Sequence, residues 1–251
     1  MLVLISRLVA RLRWVGYRLY FWLVRHNYAT QLIARDHATA AGTVQSYELI
    51  ARHTDDEMLA AIDAFANHSA VIYDVGANVG IYSTALAETA SQRRVVAFEP
   101  APQNITHLRL TVELNELSDR IDIHPFGLGE TIERRRFHVS TYPELSGFDR
   151  ESATRWEATV AETVQVQVRS LDDITTAAPP PDVIKIDAEG GAPAILAGAQ
   201  ETLRTHRPAL FIEPHTTELS NDPTASIREQ LATAGYRIKE HDTYWKCLPE
   251  S

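Results

Sequence analysis

The chain has 251 residues, of which 45% are hydrophobic and 23% are charged, and its formal net charge is −9 at pH 7. This length and composition are those of a globular domain with a sizeable core, which excludes a disordered chain and a protein that crosses a membrane several times. The single cysteine, Cys247, excludes an internal disulfide and a metal site built from cysteines.

Residues 1–35 are predicted to form a basic amphipathic helical segment. The segment contains six arginines and, before Asp36, no acidic residue, so the rest of the chain holds 18 basic and 33 acidic side chains and a net charge of −15. A net charge of −15 repels nucleic acid, so no nucleic-acid partner is expected. Arginine interrupts the apolar sequence too often for a signal peptide or a membrane-spanning helix. Four of the arginines share one stripe of a helix: Arg7, Arg11, Arg18 and Arg25.

This stripe leaves two interpretations of residues 1–28 open. A basic stripe beside an aromatic-rich apolar face is typical of a helix that lies in a membrane interface. The same pattern fits a helix whose apolar face packs on the domain or on a second subunit while its arginines face solvent. The expected location is the cytoplasm, with peripheral binding to the inner face of the membrane under the first interpretation. The sequence does not define the oligomeric state.

Residues 36–251 are predicted to form one α/β domain. From residue 70, short β-branched segments alternate with longer amphipathic ones, which predicts βαβ units and a doubly wound, mostly parallel sheet. The predicted strands are 70–75, 95–99, 121–126, 182–187 and 209–213, and the predicted helices are 80–90, 102–116, 190–204 and 224–234. Two last strands around a tight turn are predicted within 236–248.

The segment 127–170 interrupts this alternation. Two strand-like stretches, 134–140 and 163–171, enclose a polar stretch at 142–152. We interpret the segment as a β-rich insertion after the third strand. Because it is the one region that the cofactor-binding fold does not need, we expect it to form part of the acceptor side of the site.

The first predicted strand ends in a glycine-rich loop, "DVGANVG", which contains Asp74, Gly76, Asn78 and Gly80. Backbone without a side chain can approach a ligand closely, and the helix that follows offers unpaired N–H groups. The pattern therefore indicates a cofactor loop, although a tight turn without a ligand would have the same sequence. The spacing is not Gly-x-Gly-x-x-Gly, so the fingerprint of a nicotinamide dinucleotide site is absent.

Glu99 ends the next predicted strand, 23 residues beyond Gly76. In a doubly wound sheet this position lies beside the loop of the first strand, where a carboxylate can accept both ribose hydroxyls of an adenosine cofactor. The alternative is a solvated acid at a strand end. We also predict cofactor contacts for Ala77, Pro100 and Gly127.

The segment "IKIDAEGG" places three charged residues in an apolar strand: Lys185, Asp187 and Glu189. The alternation of side chains along a strand puts all three on one side, with both acids at the carboxyl end, where open α/β sheets bind ligands. Charges in an apolar strand cost free energy unless they are paired or used. A Lys–Asp pair that only stabilises the strand is the alternative to a catalytic role.

These motifs resemble the FkbM family of S-adenosylmethionine-dependent methyltransferases. The resemblance runs in order through "YDVGANVGIYS", "VVAFEP", "IKIDAEGG" and "RPALFIE", over about residues 65 to 215. It implies a class I methyltransferase fold, Rossmann-like with an antiparallel last strand, and methyl transfer to a hydroxyl oxygen. The resemblance also implies that Asp74, Gly76, Asn78 and Gly80 line the methionine end of the cofactor and that Glu99 holds its ribose.

The chain departs from the family pattern after Glu189. A small residue and a further acid usually follow the Asp-x-Glu-Gly motif, whereas this chain has Gly191, Ala192 and Pro193. Proline suits the first turn of a helix. The missing acid leaves open a non-catalytic, membrane-associated binding module on a methyltransferase fold.

A hydroxyl acceptor must lose its proton, so a base is expected near the strand ends. Asp187 and His215 are the predicted bases, Lys185 is a further catalytic candidate, and Glu189 and Glu213 are predicted to contact the acceptor. Asp187, Glu213 and His215 would also suit a divalent ion, but no tight ligand spacing supports one, so a metal is left undecided.

The acceptor itself is not defined by the sequence, and a small molecule, a sugar and a lipid-linked glycan stay open. A nicotinamide-dependent dehydrogenase is the rival enzyme class. The loop spacing disfavours it, as does the absence of any tyrosine with lysine four residues later.

Overall fold

The structure is a computed structural model that describes residues 2–155, 158–215 and 223–250, with side chains described from residue 15 onward. Eight helices are present in these ranges: α1 (Leu2–Thr30), α2 (Glu57–Phe65), α3 (Ile81–Glu88), α4 (Pro102–Leu114), α5 (Leu171–Thr175), α6 (Ala192–Ala197), α7 (Gln200–His206) and α8 (Pro223–Thr233). Twelve strands are present in the same ranges: β1 (Arg35–Thr39), β2 (Gly42–Ser46), β3 (Val71–Val75), β4 (Arg94–Phe98), β5 (Ile121–His124), β6 (Gly127–Leu128), β7 (Glu133–Ser140), β8 (Val160–Arg169), β9 (Val183–Ile186), β10 (Ala209–Ile212), β11 (Tyr236–Glu240) and β12 (Trp245–Pro249).

Seven strands form the central sheet, in the order β11-β12-β10-β9-β3-β4-β5. The five strands from β10 to β5 are parallel, and β12 pairs antiparallel with both β10 and β11. The order reverses between β3 and β9, which is where doubly wound sheets bind ligands at the carboxyl ends of their strands. The predicted doubly wound sheet with an antiparallel last strand is confirmed.

The central strands are apolar on both faces because a hydrophobic layer covers each side of the sheet. Every residue of β9 and β10 is buried. One core cluster packs α2, α3 and α4 on one face, and a second packs α5 to α8 on the other. A strand that is buried on both faces has a continuous apolar sequence. For this reason the ends of the five parallel strands could be predicted from the sequence to within two residues.

Three features differ from the sequence predictions. The single predicted helix 190–204 is two helices, because the backbone at Gly198 packs against Gly129, where a Cβ atom would lie 2.1 Å from the carbonyl oxygen. Strand β9 ends at Ile186, so the two acids that follow it lie in a loop and not in the strand. The hairpin β1–β2 and helix α2 were not predicted.

The insertion forms a separate three-stranded sheet in the order β6-β8-β7. Strands β7 and β8 are antiparallel, with an irregularity between Val139 and Ser140, and β6 pairs parallel with the end of β8. A β-rich insertion is therefore confirmed. The segment between β7 and β8 folds back toward the carboxyl ends of β9 and β10.

Helix α1 packs on the domain through its C-terminal half. Val24 and Tyr28 are buried against Tyr47, and the Tyr28 ring stacks on His107 at a centroid distance of 3.8 Å. The side chains of Arg7, Arg11, Arg13 and Trp14 lie outside the described residues. No helix in the described part of the chain is long and apolar enough to cross a bilayer. The division of the chain at residue 35 stays a prediction.

Candidate active site

A cavity of about 600 Å³ opens at the carboxyl ends of β3, β4, β9 and β10. Its floor is made by the loops that follow these four strands, and its roof by the insertion, including Phe137, Phe148 and the segment 143–147. A cavity of this size holds a ligand as large as a nucleoside cofactor together with part of a second molecule.

The glycine-rich loop closes one side of the cavity by packing tightly between two strands. Gly76 has a φ of +78°, and a Cβ atom there would lie 1.9 Å from the carbonyl oxygen of Asp187. The backbone N–H groups of Gly76 and Ala77 both donate to the carbonyl of Phe98, at 3.0 Å each. Glycine is therefore required at position 76 both by the backbone conformation and by the close approach of the β9 loop.

Glu99 lies at the end of β4 with its side chain only 5% exposed. Its Oε2 atom accepts the N–H of Asn78 at 2.9 Å, and its Oε1 atom accepts the N–H of Ala101 at 2.8 Å. Burial raises the pKa of Glu99 to about 7, although these two N–H donors favour the charged form. The carboxylate is thus held in a fixed orientation at the cavity wall.

Asn78 supplies a second feature that fits a bound cofactor. Its backbone is left-handed, with a φ of +51°, and it lines the cavity. Its Oδ1 atom is buried, and no described residue donates a hydrogen bond to it. A buried acceptor without a donor costs free energy until a ligand supplies one. The ammonium group of a methionine moiety is such a donor, and the Glu99 carboxylate suits a ribose diol, so these residues fit S-adenosylmethionine.

Lys185 and Asp74 form a buried ion pair beneath the cavity floor. Their Nζ and Oδ1 atoms are 3.0 Å apart, and both side chains are almost fully buried. Asp74 also accepts the hydroxyl of Ser83 at 2.6 Å, while Lys185 donates to the carbonyl of Gly76 at 3.0 Å. Burial alone lowers the pKa of Lys185, but the charges of Asp74 and Asp187 outweigh it and raise that pKa above its usual range. Lys185 therefore stays charged and fixes the glycine loop.

His215 connects the loops after β9 and β10. Its Nε2 atom lies 2.9 Å from Oδ1 of Asp187, and its Nδ1 atom lies 3.7 Å from Oε2 of Glu189. The Asp187 carboxylate reaches Lys185 through Oδ2 at 3.5 Å. Glu189 in turn forms a close ion pair with Arg155 of the insertion. Charged side chains thus run without a break from the sheet interior to the roof of the cavity.

The charges around Asp187 and His215 set their ionisation. Burial alone raises the pKa of Asp187, but the positive charge of Lys185 and the His215 hydrogen bond outweigh it and hold that pKa well below its usual range. Burial alone lowers the pKa of His215, but the hydrogen bond and charge of Asp187, with Glu189 and Glu213 nearby, outweigh it and raise the His215 pKa.

The ionised state of Asp187 also assigns the protons of the imidazole. An ionised carboxylate only accepts hydrogen bonds, so Nε2 of His215 must carry a proton. In the neutral ring the free lone pair then belongs to Nδ1. In this arrangement Nδ1 of His215 is able to accept a proton. The hydrogen bond to Asp187 fixes the tautomer and the orientation of the imidazole ring.

Asp187, Glu213 and His215 also form the cluster that could hold a metal ion in the described part of the chain. One ligand atom from each lies within 4.8 Å of the others. Glu213 is the outlying member, since its Oε1 atom is 4.0 Å from Nε2 of His215 and its side chain is 41% exposed. Carboxylates and imidazole suit a divalent ion, so the donor set fits one.

The structure brings most of the predicted site residues to the cavity and places the others behind its wall. The predicted residues that line the cavity are Gly76, Asn78, Glu99, Pro100, Gly127, Asp187, Glu189, Glu213 and His215. The predicted residues that do not line it are Asp74, Ala77, Gly80 and Lys185. Gly80 instead packs under α4, where a Cβ atom would lie 2.3 Å from Cδ1 of Leu108.

Sequence reasoning missed the residues that the insertion and the N-terminal part contribute. Arg155 contacts Glu189, and Arg52 forms a close ion pair with Glu144 at the rim of the cavity. Phe148 lies over Gly127, where a Cβ atom would be 2.6 Å from the ring. Arg52, Phe148 and Arg155 lie in irregular segments with no periodic pattern, so no signal in the sequence could have identified them.

Comparison with known proteins points to a methyltransferase family. A family model described as "Methyltransferase FkbM domain" matches residues 74–238, which is more than half of the chain. Methyltransferase 1 of Beauveria bassiana is 26% identical over 148 residues, 52% of this chain and 58% of that protein. The AMB antimetabolite synthetase AmbE of Pseudomonas aeruginosa is 39% identical over 80 residues, 32% of this chain and 4% of that protein. The chain thus spans less than two thirds of either relative.

Among solved structures, the fold is similar to that of methyltransferase FkbM from Methylobacillus flagellatus KT. The TM-score is 0.52 and the sequence identity 23%, over 72% of this chain and 44% of that chain. This likeness supports the fold alone.

Proposed function

The chain belongs to the FkbM family of S-adenosylmethionine-dependent methyltransferases, and from that membership we propose that it methylates a hydroxyl oxygen. The observation that carries this proposal is the pair formed by His215 and Asp187 on the cavity floor, 2.9 Å apart. A hydroxyl is a weak nucleophile until it loses its proton, and a fixed imidazole is suited to accept that proton. An amine acceptor would need such a base less.

Each part of the cavity has a role in this proposal. When bound, S-adenosylmethionine would supply the methyl group: the acceptor oxygen would form a bond to the methyl carbon as the carbon–sulfur bond breaks, and S-adenosylhomocysteine would leave. Glu99 would hold the ribose diol, Oδ1 of Asn78 would accept a hydrogen bond from the ammonium group, and Gly76 lets the loop that carries Asn78 pack against the β9 loop. His215 accepts the hydroxyl proton at Nδ1, and Asp187 stabilises the imidazolium that results.

The acceptor is proposed to enter from the side of the insertion. Arg155 and Phe148 belong to the insertion and line the cavity, and Arg155 contacts Glu189 beside His215. The acceptor class is a hydroxyl of a small molecule, a sugar or a lipid-linked glycan. Replacement of the loop 142–152 should therefore change acceptor choice while leaving cofactor affinity unaltered; loss of both would contradict this role.

The first experiment measures cofactor binding by calorimetric titration. S-adenosylmethionine and S-adenosylhomocysteine should bind, NAD should not, and Glu99→Ala should weaken the two sulfur cofactors at least about ten-fold through the lost ribose contacts. Glu229→Ala, which removes an exposed acid that does not line the cavity, is the matched control. A folded protein that binds neither sulfur cofactor would overturn the proposal.

The second experiment identifies the atom that is methylated. Cofactor labelled with ¹³C in the methyl group is incubated with sugars, glycolipids and amines, and the carbon chemical shift of the product distinguishes an ether from an N-methyl group. An ether formed by the wild type and lost in His215→Gln supports the proposal. Methylation of amines alone would contradict the hydroxyl acceptor.

A further inference from the structure

Helix α1 presents a second apolar face, opposite to the face that packs on the domain. Val15, Leu19, Trp22 and Leu23 have exposed fractions of 54%, 55%, 59% and 41%. At 100° per residue these four positions cover an arc of about 100°. Their spacing is that of one helix face, so they form a continuous apolar strip, here termed the outer face of α1. Two more exposed apolar residues follow the helix, Leu32 at 73% and Ile33 at 49%.

The inner face of α1 is already occupied, so it does not compete for this role. Val24, Asn27 and Tyr28 are buried on the opposite side of the helix. Asn27 donates through Nδ2 to the carbonyl of Tyr47 at 2.7 Å and to that of Ile33 at 2.8 Å, which fixes the helix end against the domain. The helix is therefore rigidly attached while its outer face remains in solvent.

Positive charge borders the outer face along one edge. Arg18 and Arg25 are exposed and fall about 60° and 80° from Val15 on the helical wheel. Arg11, seven residues before Arg18, continues the same line in the sequence. Residues 36–251 carry a net charge of −15, whereas residues 1–35 hold six arginines and no acidic residue, so α1 is a strongly basic segment of an acidic protein. An anionic surface would attract the helix and repel the rest of the chain.

We infer that the outer face of α1 binds the surface of a lipid bilayer that contains anionic lipids. Apolar and aromatic side chains enter the boundary between head groups and acyl chains, and the arginines contact the lipid phosphates. Trp22 suits this position because its ring is apolar while its N–H finds a partner at the polar boundary. The inner face of α1 thus packs on the domain, and the outer face is the one inferred to bind the membrane, so the two interpretations of the sequence apply to different faces of the helix.

Binding in this orientation holds the rim of the cavity about 10 Å above the lipid surface, one helix diameter away, because the rim packs on the side of α1 opposite to the outer face. Phe21 of α1 packs on Tyr142 of the insertion at a centroid distance of 5.4 Å, and Arg52, which lies over the Phe21 ring, pairs with Glu144 at the rim. A smaller cavity of about 70 Å³, lined by Phe21, Val24 and Arg25, adjoins the main one. If the proposed methyl transfer holds, on which this step alone rests, the acceptor hydroxyl belongs to a lipid-linked molecule.

The test is co-sedimentation of the full chain with vesicles of phosphatidylcholine, either alone or mixed with phosphatidylglycerol. The wild type should bind the mixed vesicles, and added salt should weaken that binding. Leu19→Glu/Trp22→Glu should reduce the bound fraction at least about ten-fold, since two charges replace apolar contacts. Arg25→Glu should reduce it by a smaller factor. Ile132→Glu is the matched control, because Ile132 is 60% exposed in the insertion and does not belong to α1.

Two further readouts make the result decisive. Lipids with a quencher in the acyl chain should quench tryptophan fluorescence of the wild type more strongly than that of Trp22→Phe. Absence of binding to mixed vesicles, or equal binding by Leu19→Glu/Trp22→Glu, would overturn the inference. So would a dimer in solution that this double variant dissociates, since it would assign the outer face to a second copy of the chain. Titration of S-adenosylhomocysteine without vesicles reports separately on the proposed function.

Discussion

The Nε2 atom of His215 lies 2.9 Å from Oδ1 of Asp187, across the gap between the loops that follow two adjacent parallel strands. Neither side chain could hold this position alone, since each loop depends on the other for its partner. The pairing raises the pKa of His215 and lowers that of Asp187. The proposed proton acceptor and the group that would orient it therefore lie at the same junction of the sheet.

Replacing His215 tests this pairing most directly. His215→Gln should lower kcat by about 10² to 10⁴ because the hydroxyl loses its general base. Affinity for S-adenosylhomocysteine should change little, since most of the residues predicted to bind the cofactor lie at the ends of β3 and β4 and in the loops that follow them. Kinetics with the acceptor found in the labelling experiment, together with calorimetry, measure both quantities. A variant that loses cofactor binding as well would show a structural role instead.

The pH dependence should follow the same group. His215 accepts a proton only when neutral, so kcat/KM should rise with pH and level off above its raised pKa. Asp187→Asn removes the charge that raises this pKa and should move the rise to lower pH, with a reduced plateau because the tautomer is no longer fixed. A rise whose midpoint is unchanged in Asp187→Asn would exclude His215 as the titrating group.

Cofactor affinity should depend on pH through Glu99. Its pKa is raised to about 7 by burial in the free protein. A protonated carboxyl accepts the ribose hydroxyls poorly, so the ionised form binds the cofactor better. Affinity for S-adenosylhomocysteine should then fall as the pH decreases below about 7, by up to about ten-fold per pH unit. Calorimetry between pH 6 and pH 8 measures this slope, and Glu99→Gln should abolish it. A slope that persists in Glu99→Gln would assign the effect to another group.

The glycine loop makes a stability prediction with an internal control. Gly76→Ala combines a left-handed backbone with a Cβ atom 1.9 Å from a carbonyl oxygen, so it should destabilise the fold by more than about 3 kcal/mol. Gly235 has a similar φ of +72° but open space around its Cα, so Gly235→Ala should cost only about 1 kcal/mol. Denaturant titration of the two variants separates steric overlap from backbone strain. Equal losses would show that the β9 loop yields to the added methyl group.

Local pattern explains how much of this site could be predicted. The positions of Gly76 and Glu99 could be predicted because each lies at the end of a strand or in the turn after it, and consecutive residues define these features. Asp187 and His215 could be predicted as candidate bases because they lie at strand ends. Their hydrogen bond depends on two loops, because the two residues are 28 positions apart in the chain. Arg155 pairs with Glu189 through an irregular loop, and no periodicity precedes it. The sequence thus predicts which residues lie at the ends of strands, whereas contacts between different loops are known only from the folded structure.

The buried pair of Lys185 and Asp74 predicts a large effect on stability. Lys185→Met leaves the fully buried Asp74 without a countercharge and should cost about 3–5 kcal/mol. Asp74→Asn in the same variant should restore part of that loss, because the uncompensated charge disappears. Lys239→Met, at an exposed position of β11, should change stability by less than about 0.5 kcal/mol. Denaturant titrations measure all three, and a mild effect of Lys185→Met would show that Asp74 becomes neutral or hydrated.

Glu213 distinguishes the two chemistries that the cluster with Asp187 and His215 permits. If His215 acts as the base, its Nε2 atom donates to Asp187, and Glu213, whose Oε1 atom is 4.0 Å from Nε2, contributes its charge but takes no part in the proton transfer. Glu213→Gln should then reduce kcat less than about ten-fold, since water screens the charge of a partly exposed carboxylate. EDTA should leave activity unchanged.

A divalent ion would instead need Glu213 as a ligand, because the cluster provides one ligand atom from each of three residues. Loss of a ligand removes most of the affinity for the ion, so Glu213→Gln and EDTA would then abolish activity alike, and added Mg²⁺ would restore the wild type only. We expect the first outcome, because the ionised Asp187 already accepts from both Lys185 and His215 and is therefore compensated in charge. Activity assays of wild type and Glu213→Gln with EDTA, before and after addition of Mg²⁺, decide between a proton acceptor and a metal centre at the same three side chains.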